Sequence, residues 1–181
     1  VLQSGEDPYY SAAQLGEIIR RIKAMGDIAV TMSIGLRPRE DYVALVKAGM
    51  DRYLMKQETA DPVLFSKLRP GTTLAERLAG LRFLQDLGVQ IGSGFMVGLP
   101  GQSVTSLADD ILLLKELRVD MAGIGPFIPH DQTPLANYPA GDAALTLRAV
   151  AVARLVLRDV HLPATTALAT VCPRGQEAAL A

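Results

Sequence analysis

A handful of residues in this chain have types and positions suited to chemistry. Glu58 follows a short apolar strand, and its carboxylate could accept two hydrogen bonds from a vicinal diol. Its structural alternative is to cap the turn before Asp61-Pro62. Arg77 falls within the first turn or so of a helix, where a cation opposes the helix dipole by some tenths of a kcal/mol. That placement invites an anionic ligand, the alternative being a solvated surface arginine. Thr31 and Ser33 share one strand face by period-two alternation. Arg52, Met121, Thr165 and Thr166 fall on other expected strands. Inward-facing hydroxyls and a guanidinium suit a small carboxylate-bearing ligand, whereas a purely structural polar layer would use the same residues. The run IGSGFMVGLPGQ (residues 91–102) takes a strand into Gly98-Leu99-Pro100-Gly101-Gln102 and then an amphipathic helix. Glycines there let a backbone approach a ligand, and helix N-termini offer unpaired amides. The same glycines and proline also serve a tight turn by geometry alone.

Elements that would position these residues alternate along the chain. A short strand at Val1-Leu2-Gln3 precedes a helix from about Ser11, where Ser11 and Gln14 form a capping box, ending at Gly26. A strand over about 28–34 leads to a helix opened by Pro38 and closed by Gly49, then a strand over 52–55. The next helix starts near Thr73 with Glu76 as a second capping pair, carries Leu74, Leu78 and Leu81 on one face, and stops at Gly88. The glycine-rich strand and its helix, with Leu107, Ile111 and Leu114, come next. A strand over 121–125, a helix over 143–157 and a sixth strand within 163–168 complete the expectation. Such alternation implies parallel strands with right-handed crossovers. The spacing, about 30 residues per unit, matches a (β/α)8 TIM-type barrel. An open doubly wound sheet is the competing arrangement. Helix-to-strand links are short, while the links over 58–72 and 126–141 are long, the second holding four prolines. Long strand-to-helix loops are where a barrel carries its site. The expected architecture is therefore α/β, a partial barrel of about six βα units. It reads as an internal portion spanning 1–181, with a first and a last unit missing.

Composition narrows the classes. The 181 residues are 49% hydrophobic with a net charge of −1, long enough to bury roughly 70% of the unfolded surface. Nothing in this balance favours nucleic acid or anionic membranes as partners. No apolar run approaches the ~20 residues of a membrane span. The single cysteine, Cys172, excludes an internal disulfide, fits a reducing cytoplasm, and excludes a three-cysteine metal site within this chain. Pro129-His130-Asp131 reads as loop-shaping rather than catalytic, and His161 as structural.

Several segments together carry a resemblance: VLQSGE (1–6), DRYLMKQETADP (51–62), KLRPGTTLAERL (67–78), GLPGQS (98–103), MAGIGPFIPHDQTPLAN (121–137) and LPATTALAT (162–170). Along nearly its whole length the chain resembles the HydE family, the radical S-adenosylmethionine (SAM) maturases of FeFe hydrogenases within the biotin synthase-like group. The resemblance implies SAM and a 4Fe–4S cluster as cofactors, and a small carboxylate-bearing substrate containing sulfur and iron. It also implies reductive cleavage of SAM to a 5′-deoxyadenosyl radical during assembly of the di-iron site, with other maturases and an electron donor as partners. Carried onto matching positions, Gln3, Ser4 and Gly5 would line SAM, Glu58 would hold its ribose, Arg77 its carboxylate, and Met96 and Val97 its adenosine. Thr31, Ser33, Arg52, Lys56, Met121, Thr165 and Thr166 would line the substrate pocket. Two departures stand out. Lys56-Gln57-Glu58-Thr59 replaces the family's Arg-His-Glu-Thr, which keeps the charge at Lys56 but loses the bidentate fork. The cluster-binding cysteines have no counterpart, so the ligands of a cluster would lie outside this chain, which alone would be inactive.

Three other readings remain open. Methylornithine synthase, or another biotin synthase-like enzyme, shares the architecture. A phosphate-binding barrel would use the Gly98–Gly101 turn as its anion site, although such sites sit late in barrel order. A non-catalytic barrel portion would bind without turnover.

Overall fold

The computed structural model describes residues 1–180. The order of elements is β1 (Leu2–Gln3), α1 (Ala12–Lys23), β2 (Thr31–Ser33), α2 (Arg39–Lys47), β3 (Arg52–Leu54), α3 (Pro62–Leu68), α4 (Leu74–Asp86), β4 (Gln90–Val97), α5 (Val104–Glu116), β5 (Met121–Pro126), α6 (Ala143–Leu157), α7 (Thr166–Val171) and α8 (Gly175–Leu180). The strands form one sheet in the order β1-β2-β3-β4-β5. Pairing is parallel, with Leu2 opposite Met32, Thr31 opposite Arg52, and Arg52 opposite Gln90. This α/β alternation with sequential parallel strands is that of a TIM-type barrel. No helix among the described residues is long and apolar enough to cross a membrane. The chain divides into two compact units, residues 1–55 with 75–92, and residues 56–74 with 93–181.

In the first unit, α1 starts where the capping box expects, with the Ser11 hydroxyl accepting from Gln14 N and the Gln14 side chain accepting from Ser11 N. Its buried side chains Leu15 and Ile19, with Met32 of β2 and Leu45 of α2, build an apolar layer. Tyr42 and Tyr53 meet edge to face at 5.2 Å in that layer. Burying two phenols requires partners for both hydroxyls. Tyr53 Oη donates to Gly35 O at 2.6 Å, and Tyr42 Oη accepts from Arg37 N at 2.9 Å. Asp51 fastens α1 to the strands, accepting from Lys23 Nζ at 2.6 Å and from Val30 N at 2.7 Å.

The second unit buries Phe65, Phe95, Val97, Leu107, Ile111, Leu114 and Ala153. The Asp142 side chain caps α6 by accepting from Leu145 N, and buried Thr146 donates to Asp142 O at 2.8 Å. At Gly94 a Cβ would stand 2.0 Å from Gly123 O, so only glycine allows that backbone approach.

Two sequence expectations are corrected in this unit. The long link over 58–72 holds α3, with Asp61 as N-cap accepting from Val63 N and Leu64 N, and Pro62 in its first turn. The sixth strand over 163–168 is absent. The Met121–His161 bridge takes the ladder position, Pro163 has no N–H to continue it, and Thr166-Ala-Leu-Ala coils into α7 with Thr165 as N-cap. Thr165 and Thr166 are therefore helix-start residues rather than strand residues, and His161 is itself the bridging residue.

Candidate functional site

Within the first unit, β1 ends in exposed Gln3 and runs into half-buried Ser4 and exposed Gly5, whose φ is 65°. Glu6 then crosses Gly35, where a Cβ would meet its Cγ at 2.0 Å, and accepts from Arg77 Nη2 at 2.5 Å. Arg77 is 2% exposed, so it is no solvated surface arginine. A cation in that position is compensated from within the chain, by an acid the sequence reading did not use. Thr31 and Ser33 are half-buried on one face of β2, as alternation requires, with Met32 fully buried on the other. The register puts Arg52 on the Thr31 face. Yet Arg52 is exposed, and its Nε donates to Gln90 Oε1 at 2.7 Å. The expectation of a buried guanidinium in need of an anion is thus corrected: water and a neutral amide satisfy it.

Within the second unit, Glu58 has φ 66°, a left-handed conformation uncommon for a residue with a side chain. It is 7% exposed, its N–H donates to Gly94 O, its C=O accepts from Met96 N, and Oε1 accepts from Arg69 at 2.8 Å. Asp61 caps α3 itself, so Glu58 is not spent on that turn. Met96 is half-buried against Leu64, Leu99 and Phe127, while Val97 is buried.

Met121, Gly123 and Gly125 share one face of β5 by alternation. Lys56 lies over Gly123, where a Cβ would be 3.2 Å from its Cε, and Thr165 lies over Gly125, where a Cβ would be 2.6 Å from its Oγ1. Burial lowers the Lys56 pKa against the opposing pull of Glu58. The Thr165 hydroxyl is buried with no hydrogen-bond partner. Thr166, by contrast, is exposed, and its C=O accepts from Thr170. The structure brings Lys56 and Thr165 to neighbouring glycines and leaves Thr166 outside that arrangement.

A buried polar group that sequence reasoning missed ties this unit together. Asp110 is fully buried on α5 and accepts from Ala60 N through Oδ1 and from Gln102 Nε2 through Oδ2. Burial pushes its carboxyl up to about 7 against those hydrogen bonds. Gln57 Nε2 donates to Asp110 O, and Gln57 N donates to Ser93 Oγ. Gln102 Oε1 takes both Gly98 N and Leu99 N, at 2.8 and 3.2 Å. Those turn amides are thereby satisfied internally, which removes the observation behind a phosphate-binding turn. The available signal was helical spacing: Asp110 falls among Leu107, Ile111 and Leu114, on an otherwise apolar face.

Among the described residues no group of three His, Cys, Asp or Glu is placed to hold a metal ion. Cys172 is a half-buried free thiol at the end of α7. His130 is exposed and shapes its loop, its Nδ1 accepting from Gln132 N.

The family model of the radical SAM superfamily matches residues 1–114. The chain belongs to the radical SAM superfamily. Among curated radical SAM relatives, the [FeFe] hydrogenase maturase subunit HydE of Thermotoga maritima is 54% identical over 180 residues, covering 99% of this chain and 51% of that protein. A 3-methylornithine synthase of Methanosarcina acetivorans is 27% identical over 166 residues, covering 91% and 47%. The chain thus spans about half the length of these relatives. The crystal structure of methylornithine synthase matches with a TM-score of 0.89 at 25% identity, over 99% of this chain and 53% of that one. HydG, a maturase of the [FeFe]-hydrogenase, shares the fold with a TM-score of 0.74 at 19% identity, over 88% and 39%.

Proposed function

We propose that this chain is the SAM-binding core of a HydE-like maturase of FeFe hydrogenases, acting on a small carboxylate-bearing substrate. The observation that carries the substrate class is the buried, unpartnered Thr165 hydroxyl over Gly125, on the β5 face whose Gly123 lies under the desolvated Lys56. A buried hydroxyl without a partner is disfavoured. A carboxylate oxygen would satisfy it, and an ammonium nearby would balance the charge.

The residues fit SAM by their chemistry. Glu58 offers a rigidly held acceptor for a ribose diol, and the half-buried Met96 side chain beside Val97 offers apolar surface to an adenine. Gln3, Ser4 and Gly5 would line the cofactor. The Arg77 role is the least direct, because a SAM carboxylate would have to share or replace Glu6. Given one electron from a cluster held outside this sequence, bound SAM would supply a 5′-deoxyadenosyl radical, with methionine leaving, for attack on a sulfur- and iron-containing substrate. A 4Fe–4S cluster does not fit these residues: it calls for several thiolates, and Cys172 is the single cysteine of the sequence. Its ligands would come from outside this sequence, as would contacts with an electron donor and other maturases. One cysteine also agrees with a cytoplasmic setting.

A second reading, amino-acid chemistry of the methylornithine synthase kind, is favoured by the TM-score of 0.89 and uses the same Lys56–Thr165 anion site. Substrate assays on the whole protein carrying this chain, reconstituted anaerobically, separate the two by product. The expected result is SAM binding with 5′-deoxyadenosine formation. No SAM binding would overturn the proposal. Thr165→Val is expected to abolish turnover while SAM affinity stays within about threefold. Parallel loss of both would remove Thr165 from the substrate pocket.

A further inference from the structure

The buried network around Asp110 joins two segments far apart in sequence. One is Gln57–Ala60, which holds Glu58 in its left-handed conformation. The other is the end of β4 and its turn, Met96–Gln102. From the single carboxyl, Oδ1 accepts from Ala60 N and Oδ2 from Gln102 Nε2. Gln102 passes the constraint on, since the same Nε2 donates to Met96 O at 2.9 Å and Oε1 accepts from Gly98 N and Leu99 N. We propose that Asp110 is a positioning residue that sets Glu58 and Met96 in register for the nucleoside half of SAM. This rests on the reading of Glu58 and Met96 as cofactor contacts.

The chemistry of the position supports an acid in particular. The donors Ala60 N and Gln102 Nε2 face different oxygens, so the side chain must accept at both. A leucine of similar size would suit the surrounding face of Leu107, Ile111 and Leu114 but would leave Ala60 N without its side-chain acceptor and Gln102 Nε2 with Met96 O alone. An asparagine would keep the shape but turn an NH2 group toward one of two donors. Retaining a carboxyl on a fully buried helix face is costly, and packing alone does not call for it. Asp110 touches neither ligand-facing side chain, so its action is indirect, through Ala60 on one side and Gln102 on the other.

The test uses the whole protein carrying this chain, with SAM and 5′-methylthioadenosine as probes; the second lacks the methionyl carboxylate and reads the nucleoside half alone. Asp110→Asn is expected to weaken both by about 10-fold, the loss of one or two hydrogen bonds' worth of alignment. Thr146→Val, a buried control on α6, is expected to change both by less than about twofold, although it also lowers the melting temperature. Hydrogen exchange measured on the same proteins is expected to show Ala60, Gly98 and Leu99 losing protection together in Asp110→Asn and none of them in Thr146→Val. Unchanged affinity in Asp110→Asn, or equal losses in both variants, would overturn the positioning role. If the unaltered protein binds neither probe, the SAM reading itself fails. The exchange result then decides alone whether Asp110 couples the two segments: joint loss upholds the coupling, and unchanged protection overturns it.

Discussion

Two aspartates, one in each unit, show how the same side chain is put to opposite use. Asp51 keeps some solvent and has an ammonium as partner. Burial pushes its carboxyl up, but Lys23 and Val30 N–H outweigh that and hold it below the usual aspartate range. Asp110 sits wholly inside, among neutral donors only, and burial pushes it up to about 7. A charge partner near water favours the ionised form, whereas amide donors in a dry interior do not compensate lost hydration. A second contrast runs parallel. The buried cation of the first unit, Arg77, is closed onto Glu6, while the buried hydroxyl of the second, Thr165, has no protein acceptor. The Arg77 charge is balanced by an acid of the same unit, whereas the Thr165 hydroxyl leaves a place for an acceptor from elsewhere.

The sharpest way to break the first contrast is titration. A carboxyl whose folded pKa is raised retains its proton between the unfolded value and about 7, so stability falls as pH rises through that window and levels off above it. The change is on the order of 4 kcal/mol, read as the shift of the urea midpoint between about pH 4 and about pH 8. In Asp110→Asn this component of the slope is expected to vanish. A slope unchanged in that variant would mean Asp110 titrates as an ordinary acid.

Next in size is Arg77→Ala. Arg77 is buried but its partner Glu6 keeps a third of its side chain in solvent, so truncation costs about 2 kcal/mol in lost packing and hydrogen bonding, visible as a lowered melting temperature. A change of under ~0.5 kcal/mol would return Arg77 to the class of surface cations. Thr165→Val sharpens the second contrast in the other direction. Replacing a buried hydroxyl that has no partner by a methyl is expected to raise stability by about 1 kcal/mol, while substrate turnover is lost. Loss of stability would mean that the hydroxyl serves the fold. The smallest effect belongs to Asp51. Its depressed pKa contributes stability that is present above the unfolded aspartate value and lost as pH falls through the folded one. Lys23→Met is therefore expected to flatten the acid limb slightly, below about pH 4, with no effect at neutral pH beyond that of an exposed pair.

Much of the architecture was legible from spacing. The capping box at Ser11, the helix over 143–157 and the alternation of strands and helices rest on local hydrogen bonding and hydrophobic period, which neighbouring residues carry between them. The α3 helix escaped because Asp61-Pro62 reads equally as a turn and as a helix start, and packing of Leu64 and Phe65 decides between them. The sixth strand failed for a related reason. A six-residue run of small residues and threonines is compatible with strand or helix, and the ladder groups at the start of β5, Asp120 O and Ala122 N, are already taken by His161.

For the candidate site the division is similar. Residue type and spacing marked Glu58, Thr165 and the GLPGQ turn, and the family resemblance marked Lys56, because residue type and strand-end position are local features. Tertiary structure alone decided how they are satisfied. It exposed Arg52, closed Arg77 onto an acid 71 residues away, and filled the turn amides with Gln102. It also set Asp110 beneath Ala60, 50 residues distant. Whether a polar group meets water, a partner or nothing depends on chain segments remote in sequence, and desolvation gives each of those outcomes a different energy.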